Sequence, residues 1–325
     1  MTLNHNFVFS KQESFKLTCL NYISFIFGKI FVIFSKIHQS IYVSLLKIKN
    51  MKRTLFILLG ISIITLFSAS VEQKNVQTAG TTVATRILPP SGFSRTNFDE
   101  KSFAYYLQNL PLKPHETKVH LFDNSIKTYQ EGTCAVVDME IGKTDLQQCA
   151  DAIIRLRAEW LWKQKRYADI HFNFTSGEQV DYIKWAEGNR IKVLGSKIKW
   201  EKKENRDYSY ATFRKYLDKI FMYAGTASLT RELVSVPIAN IQPGDVFIHG
   251  GNPGHAMIVL DVVTNAKTNQ KAFILAQSFM PAQEIEVVKN LKDNVNSPWY
   301  VVNSSELNIY TPQWTFTIHE LKRFK

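Results

Sequence analysis

The sequence predicts an α+β fold, on three observations. Its clearest helical pattern lies mid-chain, three apolar strand-like runs follow in succession toward the C-terminus, and the last two of these are joined by a short polar turn. Taken in order, "FDEKSFAYYLQNLPLKP" holds a short helix stopped by Pro111 and Pro114. "TKVHLFD" and "CAVVDMEI" alternate as strands do, the second with Ala135, Val137, Met139 and Ile141 on one face. "DLQQCADAIIRLRAEWLWKQ" is a helix that Thr144 or Asp145 can cap, with Leu146, Cys149, Ile153, Leu156 and Trp160 on one stripe. "DIHFNFTSG" is a strand entering a turn, and "YATFRKYLDKIFMYAG" a helix ending at Gly225. "GDVFIHG", "HAMIVLDVV" and "KAFILAQSF" follow as three strands, the last two forming a hairpin through "TNAKTNQ"; "TPQWTFTIHELKRF" closes the chain.

Met51-Lys52-Arg53, the apolar run "TLFILLGISIITLF" and the small residues "SAS" read as a signal peptide over 51–70. The same run also fits an uncleaved anchor, although it is short for a bilayer span of roughly 20 residues. Residues 1–50 are then either a gene-model extension ahead of the true start or a membrane-associated arm, and any membrane contact is expected only through this N-terminal segment. Residues 71–90, small, polar and ending in Pro89-Pro90, read as a linker, and 91–325 as a single α+β domain. The chain is therefore expected to be exported, to the periplasm or cell envelope.

The formal charge of +12 is concentrated at the N-terminus, where residues 1–70 carry eight Lys/Arg and one acid. The remaining excess is ordinary, and with no recognisable nucleic-acid motif it gives no reason to expect a nucleic-acid partner. Cys134 and Cys149 are the two cysteines after residue 70; in an exported protein they can pair. No HExxH and no cysteine pair at ligand spacing is present, so neither a metal nor another cofactor is expected.

Chemistry is concentrated around "GDVFIHGGNPGHAMIVLD". His255 opens an apolar strand behind a glycine-rich turn, and Gly251 and Gly254 let backbone approach a ligand closely. A thiolate nucleophile needs a nearby base and a third group to orient that base. Cys149 lies near the start of a helix, where the positive dipole end lowers a thiol pKa. His255 is the candidate base and Gln277 in "LAQS" the orienting group, with Asp245 and Ser278 beside them as substrate contacts. Trp185 and Arg190, around Gly188, could line a sugar or peptide cleft. Each has a plainer alternative: a hydrogen-bonded strand-end histidine, a core or disulfide-bonded Cys149, a core tryptophan beside solvated charges.

"IQPGDVFI", "GHAMIVLDVV" and "LAQS", residues 241–280, resemble the segment around the catalytic histidine of papain-like cysteine peptidases of the NlpC/P60 and CHAP type. The resemblance implies a papain-like core of helices packed on an antiparallel sheet. It also implies a thiol hydrolase or amidase acting on cell-wall peptide or another amide, with Cys149, His255 and Gln277 as the catalytic set. The spacing from Cys149 to His255 is long for that family, and a competing alignment puts the nucleophile position near Phe213. That alignment implies the alternative, a catalytically inactive envelope module binding glycan or peptide. Over residues 86–324 the chain also resembles the bacterial family called domain of unknown function 4846, through "PPSGFSR", "DLQQCADAIIRLRAEWLW", "FNFTSG", "YAGTASL", "LAQSFMPAQ" and "TPQWTF". This second resemblance implies an exported or envelope protein and carries no activity with it.

Overall fold

Residues 74–303 and 305–325 are described by the structure, a computed structural model. The proposed arm at 1–50 and signal peptide at 51–70 lie outside them. In chain order the helices are α1 (Val83–Arg86), α2 (Phe103–Gln108), α3 (Cys149–Lys163), α4 (Tyr182–Ala186), α5 (Tyr210–Phe221) and α6 (Thr226–Glu232). The strands are β1 (Phe93–Arg95), β2 (Thr133–Val136), β3 (His171–Asn173), β4 (Gln179–Asp181), β5 (Asn189–Leu194), β6 (Lys197–Lys202), β7 (Val234–Ser235) and β8 (Val246–His249). They continue with β9 (His255–Asn265), β10 (Lys271–Gln277), β11 (Glu286–Val288), β12 (Tyr300–Val301), β13 (Asn308–Tyr310), β14 (Thr315–Thr317) and β15 (Leu321–Arg323).

The long strand β9 organises the molecule. Its first nine residues are buried, so it reads as a continuous apolar run rather than an alternating one. It sits inside an antiparallel sheet of order β2-β11-β10-β9-β8-β15-β7, with β1 and β12 pairing the far parts of β9 and β10. Because side chains alternate across a strand, β9 feeds two cores. Ala256, Ile258 and Leu260 join the larger core with α2, α3 and α5, while Met257 and Val259 join a smaller one with Phe247, Phe273 and Phe316. The register shifts where Ile274 pairs Asp261 and Leu275 pairs Val259, leaving Leu260 over as a bulge. Beyond it the buried Asp261 carboxylate is held by Arg95 Nε and Gln108 Nε2, both at 2.6 Å.

The α+β class and the β8–β9–β10 succession stand as expected, including the β9–β10 hairpin. Three expectations need correction. Residues 74–90 are no linker: Val83 and Ile87 are fully buried, and Thr82 caps α1. The compact unit accordingly begins well before residue 91. "TKVHLFD" forms no strand, only the isolated bridges His120↔Ile126 and Leu121↔Gln283. Finally, Thr144 and Asp145 do not cap α3. The helix starts later, with Gln148 at the cap and its N–H donating to the Asp151 carboxylate at 3.1 Å. Cys149 is therefore its first residue.

Candidate functional site

The start of α3 and the start of β9 meet at one cleft of about 640 Å³, lined by Cys149 and His255 together with Gly251, Gly254, Phe279 and Trp314, among others. Local structure explains the meeting. Helix α3 packs along β9, so its first residue is delivered to the end of that strand. The Ala256 N–H, one peptide beyond His255, is directed at the Cys149 sulfur. The turn between β8 and β9 passes close to the start of α6. A Cβ on Gly254 would stand 2.4 Å from Thr226 Oγ1 and 2.5 Å from Gly251 O, and Gly251 takes φ +139, which L residues rarely adopt.

His255 is 2 % exposed and ringed by Phe279, Trp314 and Phe316, with centroids 4.9, 5.4 and 5.9 Å away. Its Nε2–H donates to Gln277 Oε1 at 2.7 Å. The direction of that bond follows from what holds the other end of the Gln277 amide. Gln277 Nε2 donates to Glu286 Oε1 at 2.9 Å and to Gln313 Oε1 at 3.0 Å, both acceptors, so the carbonyl must face the histidine. Glu286 is itself buried, and pairs with Lys127 while accepting from Gln283 Nε2 at 3.1 Å and Thr133 Oγ1 at 2.5 Å. Lys127 Nζ also donates to Gln313 Oε1 at 2.8 Å, fixing that amide too. This chain of partners places the His255 proton on Nε2 and leaves Nδ1 as a lone pair with no hydrogen-bond partner among the described residues.

Burial dominates the protonation of the site. It pushes the Cys149 thiol up to about 11, reinforced by Asp151 and opposed by the N–H groups of Ala150, Ala256 and Cys149. It pulls His255 down to about 4 despite the bond to Gln277. It also raises Asp151 to about 8, which leaves that carboxyl largely protonated at neutral pH. The resting pair is thus a neutral thiol and a neutral imidazole, not a preformed ion pair. Chemically, the arrangement offers a thiol, a neutral base and the N–H groups of a helix N-terminus around one concavity.

Cys149, His255, Gly251 and Gly254 are brought together, and Gln277 stands directly behind His255. The other expected contacts lie elsewhere. Asp245 is fully buried, accepts from Arg323 Nε at 2.6 Å and Nη2 at 2.9 Å, and borders a separate cavity near Phe103 and Arg157. Ser278 Oγ is also buried, between Gln147 O at 2.9 Å and Gln283 O at 2.8 Å, so it ties the residues before Cys149 to the end of β10 instead of facing a ligand. Trp185 is a core residue, and Arg190 stacks over it at 4.3 Å while pairing with Glu204. Phe213 packs among Trp162, Tyr182 and Tyr210 and does not border the cleft. Cys134 and Cys149 are both free, which removes the disulfide alternative.

Sequence reasoning missed Lys127, Glu286, Gln313 and Asp151. Glu286 left a trace: in "EIEVV" it interrupts an apolar run, and a charge facing inward from a buried strand needs a partner. No local signal names Lys127 as that partner, 159 residues away.

Fold and site together define an α+β protein with a cysteine–histidine–glutamine cleft at the end of an antiparallel sheet. The chain belongs to the family described as domain of unknown function (4846), whose model matches residues 83–323. Neither a curated protein nor a solved structure gives a significant match to it.

Proposed function

We propose that this protein is a thiol hydrolase or amidase with a papain-like core, related to the NlpC/P60 type, acting on cell-wall peptide or another amide. The observation that carries the reading is the placement of Cys149 as the first residue of α3 in the same cleft as His255, whose Nε2 is engaged by Gln277. In the first step His255 Nδ1 takes the thiol proton as the sulfur attacks the substrate carbonyl carbon. The N–H groups at the start of α3 face the developing oxyanion. The imidazolium then gives its proton to the leaving amine as the C–N bond breaks, and water hydrolyses the resulting thioester with His255 again as base. Because the imidazole is neutral at rest, it acts as a general base on the thiol rather than as the cation of a standing pair.

Cys149→Ala and His255→Ala provide the test, assayed for amide cleavage beside alkylation of Cys149 in the native protein. Loss of cleavage in both variants, with a wild-type thiol that alkylates before unfolding, supports the reading. Unchanged cleavage in Cys149→Ala removes the thiol from the chemistry.

The high pKa of Cys149 favours a second reading, a catalytically inactive envelope module that holds glycan or peptide in the same cleft. Under it the native thiol stays inert and ligand binding survives Cys149→Ala. Both readings place the chain outside the cytoplasm, in the periplasm or envelope. That part rests on the basic start and short apolar run at 51–70.

A further inference from the structure

The cleft does not share the charge balance of the chain. Lys and Arg number 40 against 28 Asp and Glu overall, yet among the described residues the cleft is lined by the carboxylate of Asp145, by the largely neutral carboxyl of Asp151 and by no lysine or arginine. His255 is neutral at pH 7 and supplies no cation. The rest of the lining is mainly apolar, and its two methionines, Met222 and Met280, are 56 % and 68 % exposed. Exposed methionine is flexible and polarisable, and conforms to irregular apolar groups. Apolar side chains left in water around a concavity are the usual mark of a ligand surface. Asp145, exposed at the mouth, accepts from Gln148 Nε2 at 3.0 Å and from the Ala282 N–H at 2.6 Å, which holds its carboxylate in place.

We propose that the cleft takes a substrate whose group beside the scissile carbonyl is apolar and either uncharged or cationic, and rejects one that carries a carboxylate there. This deepens the thiol-hydrolase reading and rests on it. A carboxylate entering the cleft loses hydration, finds no cation and approaches Asp145, so each contribution is unfavourable. A cationic group has Asp145 as its counter-charge, and an uncharged apolar group gains contact with the methionines and Trp314 without desolvating a charge.

Methanethiosulfonate reagents with a neutral methyl, an anionic sulfonatoethyl and a cationic aminoethyl group probe this without knowledge of the substrate. Rates at Cys149 in the full chain are followed by mass mapping and divided by the rates of the same reagents with free cysteine. The normalised anionic rate is expected to fall below the neutral one by about tenfold or more, with the cationic rate equal to or above it. Met222→Lys, at an exposed rim position, is expected to raise the anionic rate several-fold relative to the neutral one. Equal anionic and neutral rates in the native protein, or an unchanged ratio in Met222→Lys, overturn the charge selection while leaving the thiol reading intact. A Cys149 that reacts with none of the three until the protein is unfolded overturns both.

Discussion

His255 and Arg190 look alike in the sequence: each is a polar residue close to a glycine, Gly254 and Gly188, and each is a candidate for the site. In the structure they differ in how completely their hydrogen-bonding capacity is used. Arg190 donates to Trp185 O at 2.8 Å, to Asn189 O at 2.7 Å and to the Glu204 carboxylate at 3.0 Å, while its guanidinium covers the indole. Four of its five N–H groups are spent on neighbouring protein groups, and the residue fastens the β5–β6 hairpin to α4. His255 uses Nε2 on Gln277 and leaves Nδ1 uncommitted in a cleft that also holds a thiol. A polar residue with capacity remaining toward a concavity is a candidate for chemistry, whereas one whose donors go mainly to its own hairpin and helix is a structural joint.

The largest effect should come from the histidine side of this comparison. His255→Ala is expected to lower amide cleavage by about 10³-fold or more, because base and leaving-group acid are lost together. Steady-state rates beside an unchanged circular dichroism spectrum would establish it; retained activity would make His255 as structural as Arg190.

Glu286→Gln comes next. It leaves Lys127 buried without its counter-charge and offers Gln277 a donor where it now finds an acceptor. Chemical denaturation should give a loss of about 3 kcal/mol. The His255 tautomer should shift toward Nδ1–H in nitrogen NMR spectra, a change that destabilisation alone does not produce.

Acid should affect the same histidine. Its folded pKa is about 4 against an ordinary value near 6.5, so between those values the unfolded chain binds the extra proton. Stability from this group is present above about pH 6.5 and falls as pH drops toward 4, by up to about 3 kcal/mol. Asp151 acts in the opposite sense: raised to about 8, its neutral form favours the fold at low pH and that contribution fades as pH rises. Melts of wild type and His255→Gln across pH 4–7 should diverge toward acid, with the variant losing less. Parallel curves would mean that the folded imidazole titrates normally.

The smallest effect belongs to Arg190→Ala, expected to cost about 0.5–1 kcal/mol through the lost cation–π contact and to leave cleavage and Cys149 alkylation unchanged. A large loss of activity there would return Arg190 to the site.

Much of the β8–β10 region was legible because continuous apolar runs bounded by polar turns have few other folded solutions. His255, Gln277 and Cys149 were legible because residues of those types at strand and helix ends suit one chemistry. Asp245, Ser278, Trp185 and Arg190 misled, since the sequence states that a group is polar without stating whether it is already paired. The residues taken for a linker misled for a related reason. Val83 and Ile87 are too sparse to form a pattern, yet they bury completely once a core is present to receive them.

By itself the sequence determined the strand succession, the hairpin, the presence of a helix around 149–163 and the chemical types gathered near the glycine turn, all of which depend on neighbours within a few residues. Only the tertiary structure decided that α3 begins at Cys149 beside β9, that Gln277 presents its carbonyl to His255, and that the cleft holds carboxyls but no lysine or arginine. The Gln277 orientation depends on Lys127, Glu286 and Gln313, which are far apart along the chain and exert their control only when folding brings their hydrogen bonds to one place.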